Sequence, residues 1–264
     1  MKLLVWILAL GAGPDADQRA RDFFDRVQFQ SPAEDTDEAR RVAEVLQKRE
    51  HWIGAYLALE RQLGAMPDLL TIKVDFDLEG TDAGWGGSNG SEARVRFNLK
   101  RLGELQKKVD EFEAKRKEAQ NRGQTLVFRV PPIRMERLIY HELTHVFQRG
   151  CQGPGWFLEG MAQLIGDDPN NIAGFANAHK KVQLIDEGPL DRTDAYARGH
   201  LFWKWLEGRG SAKKAADLVV LQHRPWKEAL EEATGLPWDL VTLAERDWSA
   251  KEVEKLQPKE VKGR

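Results

Sequence analysis

Two histidines four residues apart, with a glutamate directly after the first, stand in His141-Glu142-Leu143-Thr144-His145. On a helix, positions i and i+4 lie one turn apart on one face, so both imidazoles can close on a single ion. Neutral imidazole suits zinc, which it binds at about 2.0–2.1 Å in tetrahedral geometry. Glu142 then falls beside the ion rather than on it. From there it can take a proton from a water whose pKa the ion lowers to about 7. The flanking residues supply the helix. Positions 133–149 open after Pro132, carry Met135, Leu138, Ile139 and Val146 on a core-facing side, and end at Gly150. The apolar residues on both sides of the pattern argue against two unrelated surface histidines.

A catalytic zinc site needs a third protein ligand and an open fourth position. The extended pattern H-E-x-x-H-x-x-G-x-x-H of the metzincins would place Gly at 148 and His at 151, where the chain has Gln148 and Cys151. The alternative lies further on, in Gly155-Trp156-Phe157-Leu158-Glu159-Gly160-Met161-Ala162. Glu159 is flanked there by apolar residues, an arrangement that is costly for a carboxylate unless it is paired or bound to metal. The other reading of Glu159 is an acid near a helix N-terminus, favoured by the macrodipole. Gly160 predicts a close approach of this helix to the His141–His145 helix. Gln163, one turn after Glu159, is a candidate to orient a ligand.

The rest of the chain must hold these groups. Residues 38–64 repeat Val42, Val45, Leu46, Trp52, Ile53, Tyr56, Leu57 and Leu63 at three- and four-residue steps, predicting an amphipathic helix or helical pair. Alternation over 71–78 and 93–99 predicts two strands, separated by a Gly-rich stretch from Gly80 to Gly90 that reads as a loop. Residues 126–130 predict a third short strand, and 101–121 a charged helix. From 133 onward the pattern is helical, with a division near the turn-rich segment 150–155. The expected fold class is α+β. A lobe over 15–150 would hold a small mixed sheet and the active-site helix, and an all-helical lobe over 151–264 would carry Glu159.

Composition bounds the function. The 264 residues are 41% hydrophobic and 31% charged, with nine Trp and eleven Phe, an ordinary globular balance. Forty basic and 42 acidic residues give a net charge of −2, which leaves no electrostatic footprint for nucleic acid. The single cysteine, Cys151, forms no intramolecular disulfide and reads as a packed thiol rather than a nucleophile. His51, His179 and His223 read as surface or capped histidines. The Gly-rich stretch has no phosphate-loop lysine at the required spacing, which excludes nucleotide binding. Residues 1–14 resemble a secretory signal peptide, with Lys2, the apolar run Leu3–Leu10 and Gly11-Ala12-Gly13-Pro14. That predicts a secreted, periplasmic or cell-envelope protein, the alternative being an N-terminal strand or helix packed on a cytoplasmic domain. No segment is long and apolar enough for a stable membrane span.

His-Glu-Leu-Thr-His, a short turn and then Trp-Phe-Leu-Glu-Gly-Met-Ala together resemble the gluzincin peptidases of the MA clan, in particular the compact peptidase-MA-like group. The similarity runs from about Ile72 to Trp248. It is specific at residues 141–145 and 156–162 and loose elsewhere. The resemblance implies a zincin-like fold, Zn2+ held by His141, His145 and Glu159, Glu142 as general base, and a peptide or protein as substrate. It also implies a tyrosine on a later helix that stabilises the tetrahedral oxyanion. In the stretch Ala195–Leu206 the match is Tyr196, with His200 one turn later as the alternative donor. Family members lay substrate along a sheet edge, which predicts residues 93–98 as that edge strand. The closing helical region, from Ala233-Thr234-Gly235-Leu236 toward Trp248, carries fold rather than chemistry. The sequence alone leaves two competing functions. One is a catalytically silent zincin-fold binding or scaffold protein of the cell envelope, and the other is a hydrolase of a non-peptide amide.

Overall fold

In the computed structural model the described residues are 14–31, 36–64, 71–89, 92–123, 134–166, 170–179, 181–186 and 190–257. The predicted signal peptide, the strand over 126–130 and Asp167-Asp168-Pro169 therefore lie wholly or almost wholly outside them. The fold is mixed α+β: a small four-stranded sheet among many helices.

The sheet has the order β1-β2-β4-β3, from β1 (Val27–Phe29), β2 (Thr71–Asp75), β3 (Gly84–Asn89) and β4 (Glu92–Phe97). β1 and β4 both run parallel to β2, whereas β3 pairs antiparallel with β4. In β4, Ala93, Val95 and Phe97 are buried and alternate with Glu92, Arg94 and Arg96 on the other face, as the period-two pattern requires. Two sequence expectations need correction here. The Gly-rich stretch is not a loop, since residues 84–89 form strand β3. Residues 93–98 are not an edge, because β4 is paired on both sides, and among the described residues β3 is the outer strand beside it.

The buried face of the sheet supports α5 (Met135–Phe147), which packs on β3 and β4 and carries His141, Glu142 and His145. The predicted helical pair forms as α2 (Asp37–Leu46) and α3 (Arg49–Leu63), and both pack on α5. Thr36 caps α2 by accepting from the Ala39 N–H, and Asn98 likewise starts the long charged α4 (Leu99–Asn121) from Arg101 N–H. The first helix, α1 (Pro14–Phe24), stacks Phe23 on Tyr56 of α3 at 4.8 Å between ring centres.

Beyond residue 154 the chain is helical. It forms α6 (Gly155–Gly166), α7 (Asn170–Ala178), α8 (Arg192–Gly208), the short α9 (Ala212–Ala216) running into a π-helical turn over Asp217–Leu221, α10 (Trp226–Thr234) and α11 (Trp238–Leu256). One hydrophobic core runs through both halves of the chain, from Ala20 to Val241. Its C-terminal part is aromatic: Trp156, Phe157, Phe202, Trp203, Trp226 and Trp238 meet in pairs with centroids 4.9–6.4 Å apart. Such pairs contribute about 0.5–1.5 kcal/mol each beyond the area they bury. The Trp203 indole donates to the Phe157 carbonyl at 2.8 Å, so α8 and α6 are bonded as well as packed.

Under α8 lies a buried ion pair. Arg198 and Glu245 are 2% and 0% exposed, and the guanidinium donates both to Oε1 (2.8 Å) and to Oε2 (2.7 Å). Ser249 donates to Glu245 Oε1, and the Gln183 carbonyl accepts from Arg198. Removing one partner leaves the other charged and dry, whereas replacing both with apolar groups of similar volume does not. Glu245→Ala should therefore lower the urea unfolding free energy by about 3–5 kcal/mol, and Arg198→Met with Glu245→Leu should recover most of it.

Candidate metal centre

α5 presents His141 and His145 one turn apart, and α6 brings Glu159 against them from the neighbouring helix. The three ligand atoms form a small triangle. Nε2 of His141 and Nε2 of His145 are 3.2 Å apart, and Glu159 Oε2 is 3.3 Å from the first and 3.2 Å from the second. Glu159 Oε2 is enclosed by protein and, although close to both nitrogens, takes no aligned hydrogen bond from either. Three donor atoms converging on one point, with a buried oxygen left without a hydrogen bond, fit a metal ion. Among the described residues, this is the cluster of His, Cys, Asp and Glu that can hold one. Glu159 thus points at the histidines and not into solvent, as a ligand must.

Two contacts prepare the triangle. Gln148 is 7% exposed, and its side-chain N–H donates to the Leu158 carbonyl at 2.8 Å. That bond fixes the amide orientation, because a carbonyl only accepts. The Gln148 carbonyl oxygen therefore faces His145 Nδ1, at 2.8 Å, and accepts its proton. In the neutral ring the Nε2 lone pair is then free for the metal. Gln148 also ties α5 to α6 at the residue before Glu159. Among the described residues this orienting contact to a histidine of the triad comes from Gln148, not from the expected Gln163. Gln148 stands three residues after His145, just past the end of α5.

The electrostatics follow from the burial. Burial opposes the Glu159 carboxylate, but hydrogen-bond-range contact with the His141 and His145 rings outweighs it and holds the carboxyl at about 2. Burial also disfavours the charged form of His145, yet Glu159 reverses this and raises the ring above its ordinary value. Glu142 is 5% exposed, and its carboxyl is pushed up by burial against the lowering pull of the two histidines. That brings a carboxylate next to the triangle closer to neutrality, as a group that accepts and returns a proton requires.

Glycines set the distances around these groups. A Cβ on Gly84 of β3 would stand 2.5 Å from Glu142 Oε1, and one on Gly86 would overlap the Glu142 carbonyl. The strand lies against the backbone of α5 at the glutamate itself. On the other side, a Cβ on Gly160 would overlap the backbone of Gly199 in α8, and one on Gly199 would overlap the Trp156 carbonyl. Gly160 therefore permits close contact with α8, not with α5 as its position suggested. The approach of α6 to α5 is at Gly166, whose added Cβ would be 3.6 Å from that of His141.

The crossing of α6 and α8 also carries Tyr196 toward the triangle. Its ring meets that of His141 edge-on at 6.4 Å between centres, and its hydroxyl accepts from Arg192 Nε at 3.1 Å. Burial, reinforced by the Glu159 charge, raises its phenol above the ordinary value and keeps it protonated. His200 is buried, and its Nδ1 is 3.1 Å from Asn171 Oδ1 on α7. His179 pairs with Asp194 at 2.9 Å, and neither it, His51 nor His223 belongs to the triangle. Cys151 donates to the Val219 carbonyl, and burial raises its thiol to about 11, which excludes a ready thiolate.

No family model, no curated protein and no solved structure matches the chain. The geometry stands without a relative beside it.

Two measurements test the centre. Gln148→Ala should weaken metal binding about 10- to 100-fold while leaving the stoichiometry at one. Since the neutral ring is the ligand, protons compete with metal below the raised pKa of His145. Competitive titration should thus show affinity falling on acidification, by about tenfold per pH unit for each proton displaced. Glu159, ionised down to about 2, should contribute nothing to that fall.

Proposed function

We propose that this protein is a zinc-dependent peptidase of the gluzincin type with a zincin-like fold, in which His141, His145 and Glu159 hold Zn2+ and Glu142 is the general base. One observation carries the reading. The ligand triangle has edges of 3.2–3.3 Å, and a buried glutamate follows its first histidine. Ligand atoms about 2.0–2.1 Å from a tetrahedral ion stand about 3.3–3.4 Å apart, a spacing close to the edges of this triangle, which supports tetrahedral zinc. Two imidazoles and one carboxylate are also a donor set that catalytic zinc uses, with the fourth position left open.

When bound, zinc supplies Lewis acidity that polarises a carbonyl and acidifies a water. The remaining steps belong to the chain. Glu142, held by the glycine strand, takes the proton from the attacking water and passes it to the leaving amine. Tyr196, a protonated phenol on the opposite helix, donates a hydrogen bond to the oxygen on which charge develops. Gln148 keeps the His145 ring in the tautomer that ligates. Strand β3 supports a place for an extended substrate. It is next to Glu142, its outer side has no partner strand among the described residues, and it carries the exposed Trp85. A peptide pairing there would gain affinity from backbone hydrogen bonds with little demand on its side chains.

The discriminating experiment compares cleavage of casein or a peptide library by zinc-loaded protein, by chelated protein and by Glu142→Gln. Chelation should abolish cleavage and added zinc should restore it. Glu142→Gln should lose about 10²- to 10⁴-fold in kcat with zinc content unchanged. Equal turnover in all three samples excludes the peptidase and leaves the scaffold reading. Zinc retained with no peptide turnover directs the search to other amides.

A further inference from the structure

Arg192 opens α8 one turn before Tyr196, and its two hydrogen bonds go in different directions. Nε donates to the Tyr196 hydroxyl at 3.1 Å. Nη1 donates to Asp82 Oδ1 at 2.8 Å, reaching 110 residues back to the segment that leads into β3. Asp82 is two residues before Gly84, whose backbone rests on Glu142. The guanidinium also lies over the Tyr196 ring, 5.6 Å from its centroid. The contacts thus link the strand beside the glutamate, through Asp82 and Arg192, to the phenol beside His141.

The chemistry of these groups is directional. A guanidinium only donates, so the phenol oxygen must accept from Arg192, and the phenol hydrogen is left for another acceptor. A charged donor on that oxygen polarises the O–H bond and makes it a stronger donor in turn. Asp82 and Arg192 are exposed, with side-chain accessibilities of 45% and 64%, so the ion pair itself adds little to stability. Its consequence is orientation.

We propose that Arg192 is a positioning residue, which holds the Tyr196 hydroxyl as a donor aimed into the metal centre and is itself held by Asp82 from the segment that leads into β3. The inference rests on the peptidase reading above and deepens it. It sets the tyrosine's role as donor only and makes its placement depend on the segment before β3.

The direct test is the Arg192 Nε–H signal in 15N NMR of the zinc-loaded protein. Slow exchange with water is expected, lost in Tyr196→Phe and in Asp82→Asn. A rapidly exchanging signal in the unmodified protein overturns the proposal. In peptide cleavage, Arg192→Met should lower kcat about 10- to 100-fold, short of the full loss from Tyr196→Phe. KM should stay within about twofold, zinc affinity should be unchanged, and Arg192→Lys should restore part of the rate. In a Tyr196→Phe background, Arg192→Met should have no further effect, because a residue acting through another adds nothing once that partner is gone. A loss confined to KM, or one that persists in the Tyr196→Phe background, would mean that Arg192 binds substrate directly and would sink the idea. If the unmodified protein cleaves no peptide, the peptidase reading fails by itself. Binding of an N-phosphoryl dipeptide, a tetrahedral anion, to zinc-loaded protein then decides. Weaker binding by both Arg192→Met and Tyr196→Phe supports the relay, and unchanged or undetectable binding overturns it.

Discussion

The structure depends on backbone contact at two glycine-lined crossings, one on each side of the candidate metal centre. At Gly86 strand β3 is pressed onto the α5 backbone at Glu142, with Gly84 against the Glu142 side chain, and at Gly160 and Gly199 helix α6 is pressed onto α8. Side chains at Gly86, Gly160 or Gly199 would overlap backbone and force the elements apart, which would disturb the triangle of donor atoms. The three ligand atoms are held at 3.2–3.3 Å by residues on two helices. A metal centre of this kind works only when its supporting elements are fixed to a fraction of an ångström. The aromatic packing of Trp156, Phe157 and Trp203 then surrounds the α6–α8 crossing, so that hydrophobic burial and the Trp203 hydrogen bond maintain what the glycines permit.

Much of this was legible from residue types. The i, i+4 histidines predicted their common helix face, and Glu159 was marked by its apolar surroundings. The helical pair α2–α3, the charged α4 and strands β2 and β4 followed from periodicity. What escaped did so for physical reasons. Strand β3 reads Gly-Trp-Gly-Gly-Ser-Asn, and glycine carries no strand propensity. The property that suits it to lie on α5, the absence of side chains, also erases its period-two signature. Mistaking it for a loop then misplaced the sheet edge onto β4.

Gln148 and Gly160 failed in different ways. In the sequence Gln148 shows only the absence of a glycine at that position. Its value lies in being a bifunctional amide between two helices, a tertiary fact that spacing hints at but does not state. Gly160 was correctly read as a point of close approach, yet its partner is Gly199, 39 positions on by residue number. Composition identifies a smooth surface on a helix but cannot say which helix meets it.

The buried Arg198–Glu245 pair has a consequence for dissecting the molecule. Arg198 lies on the same helix as Tyr196, and its counter-charge comes from α11, near the far end of the chain. A fragment ending after α8 would contain every proposed ligand and proton carrier. It would also strand a guanidinium in apolar surroundings two residues after Tyr196. Helix α11 therefore belongs to the unit that holds Tyr196 in place, through Glu245 and Ser249 at the ion pair and through Val253, which packs on Ala197 and Leu201 of α8.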